Sequence, residues 1–145
     1  MRYMQQLIDL EVLAIVDERK VFRVNGGNMS LLTSIFAVAV ALEHLYIMFL
    51  ETLATTSQST SRVFGLSSDS LKNKNISTLL KNQGVYNGML AVLIGIAVYQ
   101  QDIFWTRLLL CYVVIVAIYG GLTSKPSIIL KQGGLAIIGL ICSFF

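Results

Sequence analysis

Long apolar runs alternate with polar connections along most of the chain. The runs cover residues 31–53, 85–99, 103–122 and 128–145. A helix needs about 20 apolar residues to cross the hydrocarbon core of a bilayer, and these runs approach that length. The short polar link at 100–102 makes the second and third runs an antiparallel hairpin. The pattern predicts an all-α fold, a transmembrane four-helix bundle, in a single domain at 29–145.

The connection between the first and second runs is long, polar and rich in serine. Ser68 or Asp69 can cap a helix over residues 70–81, where leucines and an isoleucine form a partial apolar stripe beside lysines. A short helix of this kind normally lies in the membrane interface. A solvated loop with nothing bound explains the same pattern, so both interpretations stay open.

The first run contains the only histidine of the chain, His44, and two acidic residues, Glu43 and Glu51. Ionisable groups are costly inside a membrane and usually face a bundle interior or a wet cavity. His44 and Glu51 recur at helical spacing with the small residues Ala37 and Ala41, which predicts that they share one inward face. The opposite surface is predicted to contact lipid through Leu32, Phe36, Val40, Ile47 and Leu50.

The second run has small residues at three- and four-residue spacing. They are Gly84, Gly88, Ala91 and Gly95. Such a stripe lets helix backbones approach closely within a bilayer, so these positions are predicted to pack against a neighbouring helix. Gln83 and Asn87 lie on the same side, and we expect their amides to point at another helix.

The polar residues of three runs are predicted to converge. In an antiparallel four-helix bundle, the end of the first helix and the starts of the second and fourth meet at one membrane surface. Glu51, Gln83, Asn87 and Gln132 lie near that surface, and His44 lies two turns deeper than Glu51, about 10 Å at the helical rise. We expect these side chains to line two levels of one cavity.

Three functions remain open for this cavity. It can bind a small or lipid-like molecule, it can belong to a proton- or ion-coupled transporter, or its polar network can simply hold the helices in register. No nucleophile with an adjacent base is recognisable, so the sequence leaves enzymatic activity undecided.

The composition of the chain limits the classes of partner that it is expected to bind. With 55% hydrophobic and 13% charged residues and a mean hydropathy of +0.71, the chain is too apolar for an ordinary soluble domain, and the lipid bilayer is its expected partner. Cys111 and Cys142 lie in apolar runs far from His44 in sequence, so neither a metal nor another cofactor is expected. No basic patch with interleaved aromatic residues suggests nucleic acid. Assembly into a homo-oligomer stays open.

Positive charge predicts the orientation. The two connections on one side carry nearly all the cationic residues after residue 28, namely Arg62, Lys72, Lys74, Lys81, Lys125 and the nearby Lys131. The opposite side has only Arg107. By the positive-inside rule, loops 54–83 and 123–127 are predicted to be cytoplasmic, with Met29 and Phe145 outside.

Residues 1–28 differ in composition from the rest, with closely spaced acidic and basic residues. The pair Gly26-Gly27 shortly before Met29 matches what a ribosome-binding sequence would encode. The segment is therefore predicted to be a non-native extension, with the true start at Met29. A functional extension is the alternative.

Several motifs together resemble the small bacterial membrane family known as domain of unknown function 1304. They are Glu43-His44-Leu45-Tyr46-Ile47 with Glu51, Phe64, the block 82–91 and Gln132-Gly133. The block 82–91 is the most specific of them, and the resemblance extends over 29–145. It implies four transmembrane helices and a location in the bacterial plasma membrane, and it implies no particular activity.

Overall fold

The computed structural model describes residues 29–124 and 126–145. These ranges contain six α-helices and no strand. The helices are α1 (Leu31–Thr52), α2 (Gln58–Phe64), α3 (Ser68–Lys72), α4 (Lys74–Tyr99), α5 (Ile103–Thr123) and α6 (Ser127–Cys142). The predicted all-α class is confirmed. The predicted extension at 1–28 lies outside the described residues.

The four long helices surround one apolar core. Helix α1 packs most closely against α4, α5 packs against α6, and α1 also contacts α6. The neighbours α4 and α5 pack least closely. The core residues come from all four helices and are Ala37, Val40, Ala41, Ala91, Ile94, Leu110, Val113 and Ala136.

Two of these helices, α1 and α5, are long and apolar enough to cross a membrane by length and composition. Helix α6 is apolar but shorter, with 16 residues. Helix α4 has a polar first part, because it includes lysines and asparagines before Gly84. Length and composition therefore support membrane crossing for two of the four predicted spans.

The predicted surface helix at 70–81 is wrong in its boundaries. The Ser67 side chain caps the short helix α3, and Asn73 accepts hydrogen bonds from the backbone of Asn75 and Ile76 at the start of α4. No proline lies between Asn73 and Tyr99, so the helix continues through Gly84, Gly88 and Gly95 to Tyr99. Most of the segment predicted to be an interfacial helix forms the first turns of α4.

The predicted lipid-facing surface of α1 is also wrong in part. Val40, Ile47 and Leu50 are buried, whereas Leu32 is exposed as expected. Helix α1 contacts both α4 and α6, so it buries a wider surface than a single stripe.

The connection after α1 folds back onto the end of that helix. The Thr60 hydroxyl donates to the Ala54 carbonyl at 2.6 Å and to the Leu50 carbonyl at 3.2 Å. Thr55 donates to the Glu51 carbonyl at 2.9 Å, and Leu71 is fully buried. These contacts fix the end of α1 that carries Glu51.

Candidate functional site

A cavity of about 190 Å³ lies among the four long helices. Its wall includes all five side chains that the sequence predicts to converge, which are His44, Glu51, Gln83, Asn87 and Gln132. The rest of the wall is apolar or aromatic and consists of Ile47, Tyr86, Leu90, Tyr112, Val113, Val116 and Ala117. The fold therefore brings the predicted polar residues of α1, α4 and α6 to one place.

Glu51 is the only acidic residue in the described wall of the cavity, and it is buried. Its Oε2 accepts a hydrogen bond from Asn87 Nδ2 at 2.7 Å. The close approach of α1 and α4 depends on Gly84. A Cβ added at Gly84 would lie 2.6 Å from Thr52 Cγ2 and 2.9 Å from Glu51 Cβ. Asn87 follows Gly84 by three residues and lies on the same face of α4. Because Gly84 has no side chain, α4 approaches α1 closely enough for the Asn87 amide to reach Glu51.

His44 is buried, and its Nδ1 lies 2.9 Å from the Val40 carbonyl oxygen. A carbonyl can only accept, so Nδ1 carries the proton in this contact. In the neutral ring, Nε2 is then an acceptor. Because His44 lines the cavity, the site includes an imidazole whose tautomer is set by its own helix.

The two glutamines supply amides to the cavity. Gln83 is exposed and Gln132 is half-buried. Each side-chain amide offers both donors and an acceptor. Within the described ranges neither side chain has a hydrogen-bond partner in the protein, and the half-buried Gln132 can bond to another group in the cavity.

The described wall of the cavity contains an acidic side chain and no basic one. None of the described lining residues is a lysine or an arginine. The one side-chain ion pair in the described part of the chain joins the exposed residues Lys72 and Asp69, outside the cavity. Glu51 is therefore bonded to a neutral amide there, and no cationic side chain in the described wall balances its carboxylate.

The predicted packing stripe is buried over part of its length. Gly84, Gly88 and Ala91 are buried, and a Cβ added at Gly88 would lie 2.5 Å from Met48 Sδ. Gly95 departs from the prediction, since it is exposed and an added Cβ would meet nothing within 4 Å. Near the turn into α5, the buried positions of α4 are Ile94 and Ala97, so the inward face no longer includes Gly95.

Sequence reasoning missed two aromatic residues of the wall. Tyr86 and Tyr112 line the cavity although their exposed fractions are 72% and 54%. Tyr112 recurs at seven-residue spacing with Trp105 and Tyr119, and all three are exposed. The sequence carries no signal that distinguishes Tyr86 and Tyr112 from aromatic residues in contact with lipid.

Glu43 occupies a different environment from Glu51. Its side chain is half-buried and does not line the cavity. Its Oε2 is enclosed and has no hydrogen-bond partner among the described residues. The two carboxylates of α1 therefore differ in place and in bonding.

Comparison with known proteins gives the family. The family model described as protein of unknown function (DUF1304) matches residues 38–144. The chain belongs to the DUF1304 family. It is 50% identical over 119 residues to the uncharacterized protein YpaA of Lactococcus lactis subsp. lactis (strain IL1403), covering 81% of this chain and 100% of that protein. No solved structure matches the chain. All the predicted cavity residues lie within the DUF1304 match, which includes both His44 and Gln132.

Proposed function

We propose that this DUF1304 protein crosses the bacterial plasma membrane four times and binds a small or lipid-like molecule in its polar cavity. The observation that carries the proposal is the convergence of polar side chains from α1, α4 and α6 on one cavity in an otherwise apolar bundle. Polar groups inside a membrane protein are costly and commonly mark a site of binding or transport.

The outer surface supports the membrane part of the proposal. In the most apolar 18-residue stretches of α1 and α5, only 28% and 22% of the residues, respectively, are buried. A core helix of a soluble protein would bury most of its apolar residues. Large side chains on the other long helices are also exposed, including Leu93 on α4 and Leu130 on α6. Apolar surface of this extent favours contact with lipid.

The proposed orientation follows the positive charges. The connection of α1 to α4 carries Arg62 and Lys72 and is placed in the cytoplasm, as is the connection of α5 to α6. Met29 and Phe145 are placed outside. The cavity then lies toward the cytoplasmic half of the bundle, because Glu51 and Gln83 are close to that side.

The cavity suits a small ligand or the polar head of a larger one. Sites for drug-sized molecules have volumes of about 300 to 1,000 Å³, and this cavity is smaller. A network that only holds helices together would pair its own amides, as Asn87 does with Glu51. Gln132 is half-buried and has no such partner within the described ranges, which favours binding over a purely structural role.

Native mass spectrometry of the full chain, purified from its host membrane in mild detergent, tests the proposal. Wild-type protein is expected to carry a bound molecule. Glu51→Gln and His44→Gln keep the approximate size and the hydrogen bonding of the side chain. Both variants should remain folded and lose most of the bound molecule. Glu43→Gln is the matched control, because it changes a carboxylate of the same helix outside the cavity wall. Wild-type ligand content in both cavity variants would contradict the proposal.

A further inference from the structure

Exposed side chains of α4 and α5 form one side of the cavity wall. Helices α4 and α5 are the least closely packed neighbours, and each contributes an exposed tyrosine to the cavity wall, Tyr86 and Tyr112. Val116 also lines the cavity and is 45% exposed. This exposed, loosely packed side is the part of the wall where the cavity can open to the outside.

An opening on that side would face the hydrocarbon region under the proposed membrane arrangement. Tyr112 and Val116 lie near the middle of α5, far from both helix ends. A ligand that enters there comes from the bilayer and needs an apolar part. The cavity of about 190 Å³ then accommodates only the polar end of such a molecule.

The polar groups of the cavity wall favour a cationic group. Glu51 provides a carboxylate, and Nε2 of His44 is an acceptor when the ring is neutral. No lysine or arginine is present among the described lining residues. A buried carboxylate without a counter-charge is costly, and a ligand ammonium group would compensate it with charge-assisted hydrogen bonds. The faces of Tyr86 and Tyr112 can attract the same cation.

We infer that the ligand is an amphiphilic amine, whose ammonium head binds at Glu51 and whose hydrocarbon chain leaves between α4 and α5. This inference rests on the proposed function and names the ligand class of the same site. The charge of the wall selects the head, and the opening at Tyr112 and Val116 admits the chain.

Calorimetric titration of the full chain at neutral pH, in a steroid-based detergent without an alkyl chain, tests the inference. The probes are dodecylamine, dodecanol and dodecanoate, which share chain length and differ in head charge. Dodecylamine is expected to bind at least tenfold more tightly than dodecanol, and dodecanoate the least. Glu51→Gln should reduce the affinity for dodecylamine to that for dodecanol, whereas Glu43→Gln should leave it unchanged. Val116→Trp should weaken dodecylamine binding by obstructing the opening.

The outcomes separate the two proposals. If dodecanol or dodecanoate binds wild type as tightly as dodecylamine, the inference fails and the binding function stands. The inference also fails if Glu51→Gln leaves the affinity for dodecylamine unchanged, or if Glu43→Gln lowers it equally. If no probe binds and the protein purified from its membrane carries no ligand, both proposals fail.

Discussion

Asn87 Nδ2 donates a hydrogen bond to Glu51 Oε2 at 2.7 Å and thereby joins α4 to α1 in the wall of the cavity. The bond has two consequences. It holds together the most closely packed pair of long helices, and it fixes the carboxylate that we propose as the cation site. The two roles can be separated, because glutamine keeps an acceptor oxygen and removes the charge.

Glu51→Leu is expected to lower the free energy of unfolding by about 1 to 3 kcal/mol, since it leaves the Asn87 amide without its acceptor. Glu51→Gln should stay close to wild type because its amide oxygen can still accept from Asn87. Reversible unfolding in mixed detergent micelles measures both. Equal stability of the leucine and glutamine variants would show that the bond does not hold α1 to α4.

Gly84→Val is expected to force α1 and α4 apart, because even an added Cβ would be too close to Thr52 and Glu51. Overpacking of this kind costs about 1 to 3 kcal/mol. Gly95→Val is the matched control on the same helix, and open space surrounds that position. Thermal unfolding in detergent compares the two. If Gly95→Val lowers the thermal stability as much as Gly84→Val, the described packing of α4 is contradicted.

The helices predicted from hydrophobic runs correspond to α1, α5 and α6, because apolar runs of this length predict helices. The start of α4 was missed, since nothing in the polar stretch after Asn73 distinguishes a surface helix from the first turns of a longer one. Gly95 shows the same limit. Small-residue spacing identifies a face, but it does not report where a neighbouring helix ceases to contact it.

Arg107 attaches the end of α6 to α5. Its Nε donates to Ser143 Oγ at 3.0 Å, its Nη2 donates to the Ser143 carbonyl, and its guanidinium lies 4.4 Å from the centre of the Phe144 ring. Arg107→Met should reduce the free energy of unfolding by about 1 to 3 kcal/mol, because both hydrogen bonds are lost. Ser143→Ala keeps the contact of Arg107 with the Ser143 carbonyl, so it should lower the free energy of unfolding by less. Thermal unfolding ranks the two variants, and the opposite order would refute this account of the α6 end.

The proposed orientation predicts which connections react from outside the cell. With Cys111 and Cys142 replaced by alanine, Ser68→Cys should react with a membrane-impermeant maleimide only after lysis, whereas Gln100→Cys should react in intact cells. Both positions are exposed, so accessibility differs only by side of the membrane. Reaction of Ser68→Cys in intact cells would reverse the orientation, and reaction of both positions there would contradict α4 as a membrane span.

The polar members of the site were predictable because each is an exception in an apolar run, and helical spacing places His44 and Glu51 on one face. The pairing of Glu51 with Asn87 was not predictable, since it depends on the separation of two helices that Gly84 sets. Tyr86 and Tyr112 were missed because an exposed aromatic residue on a membrane helix is typical of lipid contact. Their place in the wall depends on the loose packing of α4 and α5.

The central claim is that the cavity bounded by Glu51 and Gln132 binds a ligand, and an experimental density map of the full chain in a native-like lipid environment tests it most directly. The account predicts continuous non-protein density that begins beside Glu51 and leaves the bundle between Tyr86 and Tyr112. Density in the cavity that consists only of separate water-sized peaks, or side chains of the wall that close on one another, would contradict it.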